Sequence, residues 1–206
     1  MESEFWKKIC ERNLEYKDYE KFIYNNHYLK NCHSNESIYE YNKSFNTYFF
    51  SAKAFTLYDT VFFQSMIDGD IEKDTYLHYE RNIFNFVSLF NKNDCYTYFF
   101  GDRLNDIEVY KEFESGIESE RFFDKNLNER IIKLDGYFND FLLLLLREVY
   151  NCDLIFSKSK IIIQLSGLHG ILISEKKFKK NEIVSFLQYL EEFEEYSELE
   201  DTEQLC

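Results

Sequence analysis

Few side chains in this sequence have the type and spacing that chemistry demands. His27, Cys32 and His33 form its one cluster of soft ligands, but a zinc site takes four ligands and no CxxC or HxxxH spacing supplies the fourth. The segment is expected to be a polar loop without metal. Ser166 and His169 in SGLHG are raw material for nucleophilic catalysis, yet the strained GxSxG elbow is absent and the two glycines account for a turn. Cys152 is a second candidate nucleophile for His169, but its apolar neighbours raise a thiol's pKa and keep it inert. No phosphate-binding glycine loop, dinucleotide fingerprint, HExxH or EF-hand loop occurs. Among 38 acidic side chains paired carboxylates arise by accident, so none is nominated as acid and base. The expectation is a protein with no catalytic residue and no cofactor.

Charge is more informative. The formal charge is −14, a balance that repels phosphates and anionic headgroups and favours basic partners. Lys158, Lys160, Lys176, Lys177, Lys179 and Lys180 lie close together, while residues 191 to 203 carry eight carboxylates and no base. Solvated faces, with lysines blunting a sheet edge, account for both runs. The functional alternative is an acidic surface that steers a basic protein. Its candidate contacts are Glu191, Glu192, Glu194, Glu195 and Tyr196, the tyrosine supplying a desolvated anchor beside the carboxylates. In composition alone the chain resembles bacterial immunity proteins as a class, and no residue carries over. The function expected is a non-catalytic, acidic protein-binding inhibitor, immunity- or antitoxin-like, that neutralises a basic partner such as a nucleic-acid-targeting toxin. A viral or host-interaction protein has the same character.

A second class of function rests on Arg81-Asn82-Ile83-Phe84-Asn85-Phe86. This run resembles the arginine-polar-x3-histidine motif of the HEPN family of helical ribonucleases, with Phe86 where the histidine belongs. The resemblance implies a HEPN-like helical bundle without the catalytic imidazole.

Five cysteines without repeated spacing fit a reducing compartment. The opening MESEFWKKIC places charges where a secretory leader needs its apolar core. The longest apolar run, Phe141 to Leu146, is far too short to cross a bilayer. A cytoplasmic location follows from these three readings.

The elements that would position these residues are read from periodicity. Glu4 to Tyr24 carries Phe5, Ile9, Tyr16, Tyr19 and Ile23 on an approximate helical stripe, and the Asn-rich stretch from Asn25 to Asn35 ends it. Ser37 and Glu40 form a capping-box pattern, followed by Ile38, Tyr41, Phe45, Tyr48, Ala52, Phe55, Phe62 and Met66 at three-four spacing. This predicts one helix of about 30 residues, about 45 Å long, ending at Gly69. A second long helix is expected over Ile71 to Phe90. Cys95 to Phe100 reads as a strand or a buried helical turn. Helices capped by Asp102 and Asp124 follow, the latter with Leu127, Ile131 and Leu134 inward, and then one from Phe138 through the LLLLL run, which belongs in the centre of a core. CDLIF, IIIQL and GILIS are short β-rich runs that predict a three-stranded meander. Asn181 then caps a last helix through Glu195, with Ile183, Leu187 and Leu190 on one stripe and Val184, Phe186 and Phe193 beside it.

The fold class expected is mainly α (α+β), a helical bundle with a small C-terminal antiparallel β meander followed by a final helix. Residues 1–206 form one domain in this reading, with 196–206 an acidic flexible tail.

Overall fold

The computed structural model describes residues 2–19, 45–53, 62–90, 92–99, 130–147, 150 and 152–195. Its elements, in chain order, are α1 (Glu2–Cys10), β1 (Asn46–Ser51), α2 (Phe62–Ile67), α3 (Lys73–Val87), β2 (Cys95–Phe99), β3 (Ile131–Lys133), α4 (Phe138–Leu146), β4 (Cys152–Phe156), β5 (Ile161–Ser166), β6 (His169–Ser174), α5 (Lys180–Phe186) and β7 (Glu192–Glu195). The strands form one seven-stranded sheet in the order β3-β2-β4-β5-β6-β1-β7. Every neighbouring pair in it is antiparallel.

The expected helical bundle is therefore replaced by a sheet with helices on its faces. The expected meander is present as β4-β5-β6 but forms only the middle of the sheet. Asp94 ties the β4–β5 turn by accepting hydrogen bonds from Ser157 Oγ at 3.0 Å and from the Lys158 amide. Gly167, at φ 58°, begins the two-residue β5–β6 loop, where the left-handed region suits a residue without Cβ. Side chains alternate between the faces of the sheet, and here both faces are covered. Cys152, Leu154 and Phe156 join Ile161, Ile163 and Leu172 under α3, α4 and α5. Ile155, Ile162, Ile171 and Ile173 pack with Phe5, Trp6 and Ile9 of α1 and with Leu14 and Tyr19.

Coverage on both faces explains why the helix predicted from Ser37 is wrong at its centre. Asn46–Ser51 is strand β1, flanked by β6 and β7. Phe45, Tyr48, Ala52 and Met66 are all buried, but Tyr48 is in the strand and Phe45 and Ala52 flank it. A segment covered on both sides carries large side chains on both faces, here Tyr48, Phe49 and Phe50 in succession, so that a three-four pattern can be picked as readily as a two-residue one. Ile38, Tyr41 and Phe55 and the capping box lie outside the described residues, as do 102–113 and 124–129; of Phe62 only its place at the start of α2 is described.

Other boundaries shift for local reasons. The first helix stops at Cys10, and Arg12 takes φ 55°, a left-handed turn made without glycine. A separate helical turn over 16–19 carries Tyr19 back onto the sheet. Ile131 is on strand β3 rather than on a helix. The last helix ends at Phe186, leaving Leu187 and Val184 exposed, while Leu190 and Phe193 are buried beyond it. Its first amide cap is Lys179, whose N–H donates to Glu182 Oε2 at 2.8 Å, so Asn181 sits inside the helix and not at its cap. The predicted helices over α3 and α4 are present. Tyr76, Glu80, Ile83 and Val87 form the buried stripe of α3, and five apolar side chains of α4 besides Phe138 are buried.

The α3 and α4 layers are joined by a buried ion pair. Arg147 Nε donates to Glu80 Oε2 at 2.8 Å and its second guanidinium nitrogen to Oε1 at 3.0 Å. Among the described residues no helix is long and apolar enough to cross a membrane.

Candidate functional site

Two groups of polar side chains stand out, one buried beneath α1 and one along the edge of the sheet. The buried group centres on Asp153, the second residue of β4, which is 3% exposed. Pairing sets Tyr98 of β2 and Gln164 of β5 on either side of it, so all three side chains face α1. Gln164 Nε2 donates to Asp153 Oδ2 at 2.7 Å. The Tyr19 hydroxyl donates to the same oxygen, and the Tyr19 ring stacks on Tyr98 with centroids 3.7 Å apart and planes 5° from parallel.

Burial pushes the Asp153 carboxyl up to about 7, against the pull of its hydrogen bonds from Tyr19 and Gln164. Burial likewise raises the Tyr19 hydroxyl well above its ordinary value, with the Asp153 charge adding to the effect. A carboxyl titrating near neutrality has the acidity of a general acid or base. Here it lies beside the stacked rings of Tyr19 and Tyr98 and accepts hydrogen bonds from Tyr19 and Gln164, an arrangement that fastens the segment carrying Tyr19 to the sheet. The sequence signal was an acidic residue inside the apolar run CDLIF; periodicity passed over it because that strand is buried on both faces.

The edge group comprises the predicted partner contacts. Glu192, Glu194 and Glu195 lie on β7 and Glu191 immediately precedes it, so the expected helical stripe of carboxylates does not exist. They alternate instead across an edge strand, paired to β1 alone among the described residues. Glu191 and Glu194 are exposed, and Glu192 and Glu195 are half-buried. Lys177 Nζ lies 2.6 Å from Glu195 Oε2, which brings the basic and acidic runs into contact. Lys176 meets Glu182 at 2.6 Å, and Lys160 Nζ sits 4.8 Å above the Trp6 ring. Tyr196 lies outside the described residues.

The remaining candidates are placed as follows. Ser166 and His169 are register partners flanking the β5–β6 loop, so the structure does bring them together, Ser166 exposed and His169 half-buried. Burial lowers the His169 pKa, which keeps the imidazole neutral at pH 7. Cys152 is buried, and burial raises its thiol well above the usual range, as it does for Cys95. A thiol reagent added to the native protein is expected to label Cys10, which is exposed, and to reach Cys95 and Cys152 only on unfolding; mass spectrometry of the labelled peptides checks this. His27, Cys32 and His33 lie outside the described residues. Among the described residues no group of three or more His, Cys, Asp or Glu is placed to hold a metal ion.

In the HEPN-like run, Arg81 is exposed on α3 and Phe86 is buried between Phe50, Phe90, Phe186 and Phe193. The position of the motif's histidine thus points into an aromatic core, and the helical bundle the resemblance implies is absent. No family model matches the chain, and no curated protein or solved structure matches it either.

Proposed function

We propose that the protein is a non-catalytic, cytoplasmic, protein-binding inhibitor, immunity- or antitoxin-like, that neutralises a basic partner such as a nucleic-acid-targeting toxin. The observation that carries this reading is the acidic edge strand: β7 presents carboxylates on both sides of an edge in a chain of net charge −14. A basic segment approaching that edge meets negative charge from either face, within the roughly 8 Å over which exposed charges act at physiological salt. Open backbone groups along an edge can also pair with an extended segment. Charge on an edge strand equally protects against self-association, and the experiment separates the two roles.

Pull-down from the native organism supplies the partner, and lysine is then placed at Glu191, Glu192 and Glu194, leaving the Glu195–Lys177 pair intact. The association rate is expected to fall about tenfold or more at low salt, with a flattened salt dependence. Capture of an acidic protein or of nucleic acid, or rates and salt dependence that do not move, would assign these carboxylates to edge protection alone.

A further inference from the structure

Asp153 holds the N-terminal layer to the sheet through its carboxyl group. Tyr19 is the one side chain of the helical turn over 16–19 that reaches it, and α1 packs beside Tyr19 through the Phe5 ring, 6.1 Å away. The groups facing Asp153 are Tyr19 from that turn, Tyr98 from β2 and Gln164 from β5, with the Cys152 thiol next to it on its own strand and Phe5, Trp6 and Ile9 of α1 in the same core. Asp18, beside Tyr19, pairs with Lys8 at the surface. No lysine, arginine or histidine among the described residues bonds or pairs with Asp153. Both hydrogen bonds reach Oδ2, and with Asp153 only 3% exposed and none of those cations beside it, a negative charge beneath the docked layer is costly. Burial under the docked layer favours the neutral acid and outweighs the two donors, which favour the carboxylate.

We propose that Asp153 is a proton-operated latch: its protonated carboxyl holds Tyr19, and with it the layer formed by α1 and the 16–19 turn, against the sheet, and its ionisation loosens that layer. The sign follows from linkage. A carboxyl whose docked pKa lies above its undocked one contributes all of its stability below the undocked value near 4 and loses it as pH rises to the docked value of about 7. The open layer, which binds fewer protons, is favoured in that window, and the effect levels off above it. Once open, the layer uncovers Ile155, Ile162, Ile171 and Ile173.

Hydrogen exchange, corrected for intrinsic rates, reads the opening constant directly. From about pH 5.5 to about pH 8.5 the protection of the amides of α1 and 16–19 is expected to fall about 30-fold, most of it below pH 7. Acrylamide quenching of Trp6, the single tryptophan, should rise over the same range. Asp153→Asn keeps an oxygen for both donors and cannot ionise, so its protection should be flat with pH. If that variant does not fold, Gln164→Leu removes a donor that favours the carboxylate and must shift the wild-type midpoint upward. Flat wild-type protection, the same transition in Asp153→Asn, an unshifted midpoint in Gln164→Leu, or an equal loss in α3 and α4 would each overturn the latch.

Discussion

Replacing Arg147 by methionine is expected to lower the unfolding free energy by about 3–5 kcal/mol, because the Glu80 carboxylate is left charged and buried without its partner. The bidentate geometry at 2.8 and 3.0 Å and the near-complete burial of both side chains, 6% and 7% exposed, place the pair in the class where loss of one member costs far more than loss of both. Glu80→Leu combined with Arg147→Met should therefore regain most of the stability lost in the single variant. Urea unfolding of the two single variants and the double variant closes the cycle. Similar destabilisation in the double and single variants would mean that the pair is net stabilising in its own right and not merely mutually compensating.

Phe86→Ala is expected to cost about 3–5 kcal/mol. The ring is fully buried and lies 5.0 Å from Phe50 of β1, 5.2 Å from Phe186 of α5 and 5.6 Å from Phe90, so its removal opens a cavity where sheet and two helices meet. Phe86→Leu, which refills much of the volume, should cost less than about 1.5 kcal/mol. Phe86→His restores the spacing of the ribonuclease-like run but places a polar ring in an apolar site. It should destabilise the fold and confer no cleavage of RNA, measured with a fluorogenic oligonucleotide. A loss under 1 kcal/mol on truncation to alanine would show that the aromatic cluster can collapse around the gap.

How much of this was legible in the sequence depended on which faces each element buries. Helix α3 has one buried face, so Tyr76, Glu80, Ile83 and Val87 kept a readable helical period. The runs of β4, β5 and β6 were legible because β-branched residues and turn signals delimit them. β1 was not, since Tyr48 and Ala52 serve the helical layer while Phe45 serves the α1 layer, and together the three imitate a helical stripe. The end of α1 was invisible because its turn is made by Arg12 at φ 55° without a glycine or proline to mark it. The glutamates of β7 were read as a helix because the apolar spacing from Ile183 to Phe193 runs on through them, whereas tertiary pairing with β1 and the burial of Phe193 decided the outcome. Asp153 was missed for a simpler reason. Its partners Tyr19 and Gln164 are set by pairing and docking, which no local window contains.

The place of β1 in the sheet has a consequence for how the chain comes to be folded. Asn46 pairs with Ser174 and Tyr48 with Glu195, so both neighbours of this strand are synthesised long after it. Contacts of such long sequence separation demand closure of very large loops before they return any stability, which slows folding. On the ribosome NTYFFS waits, an aromatic strand with two unsatisfied edges, until the meander emerges and brings β6 beside it. Until β6 and β7 arrive, that strand is the segment most exposed to pairing with another chain, and a holdase that recognises short aromatic stretches would find its target there.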